Sequence, residues 1–298
     1  MKKKLLSLAS LLAVLNTNAI EIGPTGSGVE LGGFAVLDYV SDDGSGDSKF
    51  MLSEVEVNLD YSTGPVAFSI DIDAYKDGVS DDGSIEEAVL TYTINDNLSV
   101  SAGRMLSYLG FEAYDAPNLY QISTAYVSSY AGYLYDGYAD GVSVDYATDS
   151  FSVGIWADLA EETSFEYALA YTGIQNLTAK YIYADYADSA ESKQTLWASY
   201  TFDKLLVAAE YALNEAVGGV AADERDGYLL LGNYAVTDAL SLTLRYSNTE
   251  DSGSTSGETD KYTISPTYMV TDDLALLAEY SDIEGQTDFF GIEAIYTF

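Results

Sequence analysis

Apolar and polar residues alternate with a period of two along most of the chain beyond residue 30. Glu54, Glu56, Asn58 and Asp60 fall on one parity, and Val55, Val57, Leu59 and Tyr61 on the other. The same comb returns at Phe151, Val153, Ile155 and Ala157 against Ser152, Gly154 and Asp158. It returns again at Leu240, Leu242, Leu244 and Tyr246 against Ser241, Thr243, Arg245 and Ser247. Successive side chains of a strand point to opposite faces, so each comb predicts a strand with one apolar and one polar face. Sixteen such strands are expected, near 31–40, 50–62, 66–75, 85–94, 98–106, 138–147, 151–159, 164–172, 177–186, 194–202, 205–213, 227–236, 240–249, 261–270, 274–282 and 288–298. Fourteen and eighteen are the alternatives.

The connections alternate as well. Tight polar turns such as Asn95-Asp96-Asn97-Leu98, Thr148-Asp149-Ser150-Phe151, Thr237-Asp238-Ala239-Leu240 and Thr271-Asp272-Asp273-Leu274 take turns with longer segments. Those longer segments, for example 214–226 and 249–260, are rich in Gly, Ser, Asp and Glu. Short turns on one side and longer loops on the other are the layout of a transmembrane antiparallel up-and-down β-barrel. A soluble β-sandwich would also bury an apolar face, but it has no reason to place every long connection on alternate hairpins. The apolar face is therefore assigned to lipid and the polar face to a water-filled interior. Tyrosines near strand ends (Tyr39, Tyr61, Tyr75, Tyr186, Tyr211) are expected in interfacial girdles.

The first residues predict the route to the membrane. Lys2, Lys3 and Lys4 precede a short apolar core from Leu5 to Leu15, and Thr17 and Ala19 supply the small residues of a cleavage site. This reads as a secretory signal at 1–19, with one barrel domain at 20–298. At the other end, Phe290, Ile292, Ala294, Tyr296 and Phe298 share a face predicted to meet lipid, with Glu293 on the inner face. A strand there needs a partner, and pairing with the first strand closes the barrel. This ending resembles the C-terminal signature of bacterial outer-membrane proteins, which implies that Tyr296 and Phe298 serve as a signal to the barrel assembly machinery.

Composition narrows the chemistry. There is no Cys and no His, which removes disulfides, His-based catalytic groups and the commonest metal ligand. Of 12 basic residues three lie in the leader, leaving nine against 48 acidic ones, a formal charge of −39. That balance disfavours nucleic acid and anionic solutes and attracts cations. Acidic chains poor in aromatics stay disordered, but 27 Tyr and 10 Phe indicate a folded chain. No enzyme, cofactor or metal is expected. The Asp-Asp-Gly-Ser segments at 42–45 and 81–84 lack the spaced ligands of a Ca²⁺ loop, and a solvated turn is the simpler reading.

Alternation nominates the carboxylates that face the lumen: Glu54, Glu56, Asp60, Asp71, Asp73, Glu87, Asp145, Asp158, Glu166, Glu210, Glu279 and Glu293. A ring of carboxylates in water selects for cations. One connection breaks the rhythm, from Ser107 to Gly137, with tyrosines at 108, 114, 120, 126, 130, 133 and 135. A long stretch without strand pattern inside a compact domain is usually functional. Arg104, just before it, is the one basic residue between Lys76 and Lys180. Lumen-facing, it would seek a carboxylate fork, and Glu112 and Asp115 are close in sequence. Arg104, Glu112, Tyr114 and Asp115 are thus the candidates for a loop anchor or constriction; the alternative for Arg104 is an exposed pair at the rim.

Gly103-Arg104, Leu109-Gly110-Phe111-Glu112, Asp115-Ala116-Pro117-Asn118 and the Gly141-Val142 strand start resemble the loop pattern of the β-barrel porins called OmpL-like. The match covers about 40 residues and lacks the Pro and His or Thr that in the family precede that Gly-Val. The resemblance implies an outer-membrane porin, a passive channel for small hydrophilic solutes in outer-membrane lipid. In general porins of sixteen strands the loop at this slot folds inward to narrow the pore. Cation preference is the leading reading. A saccharide-biased channel, with loop tyrosines stacking on sugars, and a structural or adhesive surface barrel with a plugged lumen are the alternatives. Monomer and homotrimer both remain open.

Overall fold

The structure, a computed structural model, describes residues 19–24, 26–42, 47–76, 84–112, 115–126, 134–159, 164–187, 189–254 and 256–298. Residues 1–18, which hold most of the expected signal, and most of both Asp-Asp-Gly-Ser segments lie outside the described residues. Sixteen antiparallel strands form the wall: β1 (Val29–Asp42), β2 (Asp47–Thr63), β3 (Val66–Lys76), β4 (Ser84–Asn95), β5 (Leu98–Leu106), β6 (Tyr138–Ala147), β7 (Phe151–Asp158) and β8 (Ser164–Tyr171). They continue as β9 (Leu177–Tyr186), β10 (Ser192–Phe202), β11 (Leu205–Glu215), β12 (Glu224–Ala235), β13 (Leu240–Ser252), β14 (Gly257–Met269), β15 (Leu274–Ile283) and β16 (Phe289–Thr297). Each pairs with its neighbours in sequence, and β16 pairs with β1 from Phe289↔Asp42 to Thr297↔Phe34. The sheet closes into the sixteen-stranded barrel that the alternation predicts.

Closure is completed past the last strand residue. Phe298 N donates to Gly33 O and Gly33 N to Phe298 O, each at 3.0 Å. A Cβ on Gly33 would lie 2.8 Å from Phe298 Cζ and 2.2 Å from Glu56 O. The missing side chain thus leaves room for the terminal ring, which stacks on Tyr296 with centroids 6.3 Å apart. Ile20–Glu21 adds a short bridge to β1 at Glu30 and Leu31.

The two faces divide as patterning requires. On β13, Leu244 is 55% exposed on the outside while Thr243, Arg245 and Ser247 are buried inside. On β16, Phe290, Ile292 and Tyr296 point outward and Glu293 and Ile295 inward. The recurrent Thr-Asp turns have a local cause. Thr237 Oγ1 accepts from Ala239 N and Leu240 N at 3.2 and 3.0 Å, and Thr148 Oγ1 accepts from Phe151 N at 3.1 Å. The hydroxyl satisfies backbone donors that the turn leaves unpaired.

Several strands run further than the apolar pattern. The segment 249–260, expected as loop, is mostly β13 and β14, paired through Asn248↔Asp260 and Glu250↔Glu258. Likewise 214–226 reduces to the connection 216–223 between β11 and β12. Alternating hydrophobicity reports where one face meets lipid, whereas ladder hydrogen bonds continue above it, where both faces meet water. Asp223 ties two of these external loops, accepting from Ser254 N and Oγ at 2.7 Å each. These bonds favour the charged form and hold its carboxyl below the ordinary range.

Gly33→Val should crowd the seam and lower the fraction of chain that migrates as folded barrel in unheated detergent gels. The cost of forcing in the extra atoms is on the order of 1–3 kcal/mol. The same substitution at Gly232, where an added Cβ meets nothing within 4 Å, serves as the control and should leave that fraction intact.

Candidate functional site

The described residues of the stretch after β5 lie inside the barrel, gripped by wall side chains at several points. At its start Glu166 (β8) accepts from Ser107 Oγ and Tyr108 N, both at 2.7 Å, and Asp145 (β6) accepts from Tyr108 OH at 2.9 Å. Phe111 then meets Trp197 (β10) edge to face, with centroids 5.4 Å apart. Further on, Glu210 (β11) accepts from the hydroxyls of Tyr126 and Tyr135. Gly227 of β12 makes that approach feasible, because a Cβ there would lie 2.5 Å from the Tyr126 ring and 2.9 Å from Leu134. Near the exit of the loop, Asp136 pairs with Lys193 (β10) and accepts from Tyr186 OH.

The densest grip is on residues 112 and 120–125. Arg245 (β13), 2% exposed, donates from Nη1 to Glu112 Oε1 at 2.6 Å and Ser123 O at 2.7 Å. Its Nη2 reaches Thr124 O at 2.9 Å. Lys261 (β14) donates to Ser123 Oγ and Thr124 O at 2.6 and 2.8 Å. Glu279 (β15) accepts from Ile122 N and Ser123 N at 2.7 and 2.8 Å, and Glu112 from Gln121 Nε2 and Ala125 N at 2.7 and 2.6 Å. Backbone groups of a loop inside a barrel have no ladder to join, and these side chains supply their partners. Beyond this, Ala116 and Ile122 pack on Phe34, Val36, Leu277 and Ile295, so the loop reaches across to the far wall.

The arc formed by β2, β3 and β4 is different in character. Its inner face carries Glu54, Glu56, Asn58, Asp71, Asp73, Glu86 and Glu87, and the loop presents Asp115 to it. Carboxylate oxygens of Glu56, Glu86 and Asp115 lie within 4.8 Å of one another. Asn58 Nδ2 bridges Glu56 and Asp71 at 2.6 and 2.7 Å. Next to this arc, Glu293 on β16 stands opposite Asp38 on β1. Asp60 is exposed near the opposite end of β2, and Asp158 is half-buried at the end of β7.

Three sequence expectations change. Glu112 pairs with Arg245, while Arg104 lies on the outer face, 3.8 Å from Asp140, with both side chains well exposed. Strand parity puts Arg104 with Val100 and Ala102, and the β5 backbone makes no bulge that would turn it inward. Tyr186 faces the lumen and holds the loop, so it is not a girdle residue. The nominated carboxylates divide: Asp145, Glu166, Glu210 and Glu279 bind the loop, Glu54, Glu56, Asp71, Asp73 and Glu87 line the arc of β2–β4 where Glu56 meets Asp115, and Asp60, Asp158 and Glu293 stand apart from both. Tyr114 lies outside the described residues, as do Tyr130 and Tyr133. Arg245, Lys261, Lys193 and Glu86 were not singled out by sequence. Arg245 sat visibly on a polar face, but only its distant partner marks its role.

Arg245→Met should leave Glu112 buried without its charge partner, a loss of about 3–5 kcal/mol in the loop's attachment. Limited proteolysis should then cut within 112–135 of the folded barrel, and single-channel conductance should become larger or noisier. Arg104→Ala removes an exposed pair worth about 0–1 kcal/mol and should change neither.

Comparison with known proteins agrees with this architecture. Residues 39–294 match the family model described as "Putative beta-barrel porin-2, OmpL-like". No curated protein matches the chain. Among solved structures, the trimer form of in-vitro folded OmpT, an outer-membrane protein of Vibrio cholerae, aligns with a TM-score of 0.70 at 18% identity, covering 91% of this chain and 99% of that one. OmpF of Salmonella typhi in complex with daunomycin aligns at 0.71 and 14%, covering 94% and 100%. An anion-selective porin from Comamonas acidovorans aligns at 0.67 and 15%, covering 91% and 99%. At such identities the likeness to solved structures is one of fold, and the family match supplies the rest. The chain belongs to the OmpL-like β-barrel porin family, and it is an outer-membrane porin, a channel and not an enzyme.

Proposed function

We propose that this porin is a passive diffusion channel that prefers cations among small hydrophilic solutes. The observation that carries this reading is the set of carboxylates on β2–β4 opposed by Asp115 of the loop. Solutes would pass between the loop and that arc. At an effective dielectric of about 20, a unit charge 4–5 Å from a carboxylate feels on the order of 3–4 kcal/mol. Asp115 and Glu86 would therefore favour a passing cation and repel an anion, and Glu54 and Asp73 would extend the acidic surface along the path. Sieving by size follows from the loop's span across the barrel. Tyr108, Tyr126 and Tyr135 are occupied with wall carboxylates, which leaves them poorly placed to stack on sugars.

The same reading includes export through a leader at 1–19, recognition of Tyr296 and Phe298 by the barrel assembly machinery, and insertion in outer-membrane lipid. Assembly as a homotrimer is supported by the solved trimer form of a fold relative.

In planar bilayers under a KCl gradient, the reversal potential should report K⁺ over Cl⁻. Glu86→Gln with Asp115→Asn should lower that preference roughly tenfold if about 1.4 kcal/mol of attraction is lost. The preference should also weaken as salt rises toward 1 M, where the screening length is about 3 Å. Anion preference would overturn the reading, absence of conductance would favour a plugged structural barrel, and saturable block by a sugar would favour a saccharide-biased channel.

A further inference from the structure

The register of the wall is regular around most of the barrel. Among the described ladders it slips at β1–β2, β2–β3 and β3–β4, and once more beside the turn from β4 to β5. The first three slips fall on successive strands. Val36↔Glu54 is followed by Leu37↔Leu52, which makes Ser53 an extra residue of β2. Val55↔Tyr75 gives way to Glu56↔Asp73, with Ala74 extra in β3, and Asp71↔Glu87 to Ile72↔Ile85, with Glu86 extra in β4. These are β-bulges, and they cross the same three strands that carry the acidic arc.

A bulge sets two residues against one and re-aims a side chain. On β4, Leu90 is 52% exposed on the outside, and strict alternation from it through Ala88 would send Glu86 to the lipid face as well. Instead Ile85 takes the outward place, 47% exposed and opposite Ile72. The Glu86 carboxylate lies within 4.8 Å of those of Glu56, on the inner face of β2, and Asp115 of the loop. Glu87, which alternation does send inward, accepts from the backbone of Leu106. Ser53 in the neighbouring bulge turns the same way, reaching Asp38, which is buried on the inner face of β1. We infer that the β4 bulge is the channel's selectivity-positioning device. One extra backbone residue moves Glu86 from the lipid-facing parity into the passage, and gives the constriction a carboxylate that a regular strand would not supply. This inference rests on the cation-preferring reading of the channel.

The test separates the place of the carboxylate from its charge, by reversal potentials in a KCl gradient. Glu86→Gln keeps the extra residue and should lower cation preference roughly threefold, half on a logarithmic scale of the loss expected when Asp115 is neutralised as well. Deleting residue 86 and introducing Ile85→Glu makes the β3–β4 ladder regular and retains the carboxylate, now in the outward place. Every other residue of β4 keeps its face. This channel should lose preference as Glu86→Gln does, although its net charge equals that of the parent. Parental preference in it would show that total charge rather than placement sets selectivity, and would overturn the inference. Absence of cation preference in the parent channel would instead reject the underlying reading.

A second readout needs neither a deletion nor any ion preference. The chain has no cysteine, so single thiols can be placed in the full-length barrel at will. A water-soluble methanethiosulfonate bearing a trimethylammonium group should lower single-channel conductance through Glu86→Cys. It should leave Ile85→Cys and Ala88→Cys, on the outer face, conducting as before. Glu86→Cys behaving like Ala88→Cys would place residue 86 outside and overturn the inference, whatever the deletion variant does.

Discussion

Hydrocarbon offers no partner to a backbone amide, and every other feature of this porin follows from meeting that constraint. The answer is a sheet without edges, closed where β16 meets β1 and finished by the reciprocal hydrogen bonds between Gly33 and Phe298. Once the ladder is closed, the outward positions can be filled by whatever suits lipid, and the inward positions become free for polar chemistry. Leu244 beside Arg245 shows the division on adjacent residues of one strand.

The constraint returns in another form inside the barrel. A loop brought into the lumen leaves the ladder, and its amides and carbonyls need partners in a space already lined by charge. Glu166, Glu210 and Glu279 take the donors, and Arg245 and Lys261 take the carbonyls of 123 and 124. Acidic and basic wall groups alike thereby lose their contact with the passage. What is left over among the buried polar groups of β2–β4 is mainly acidic. The position of the loop and the electrostatics of the channel are in this way a single problem with a single solution.

Nearly all of the wall was legible from alternation because a barrel strand meets two solvents, and each side chain reports which one it faces. Strand ends were less legible. Residues such as Glu250 and Glu258 lie above the lipid, where polarity no longer alternates although pairing continues. The candidate site was half legible. Parity set the nominated carboxylates apart from the lipid-facing positions, yet it could not say which bind the loop. Nearness in sequence suggested Arg104 for Glu112, but the true partner, Arg245, is 133 positions away.

The sequence by itself determined the closed barrel, the strand count, the lipid-facing and inner faces and the excess of acid, since these depend on local periodicity and composition. Only the tertiary structure decided the pairing of Glu112 with Arg245, the outward place of Arg104, the inward turn of Tyr186 and the division of the inner wall into a side bound by the loop and an acidic arc. Those depend on where a loop without periodicity comes to rest. Its resting place is set by charges on distant strands that meet only after the barrel has closed.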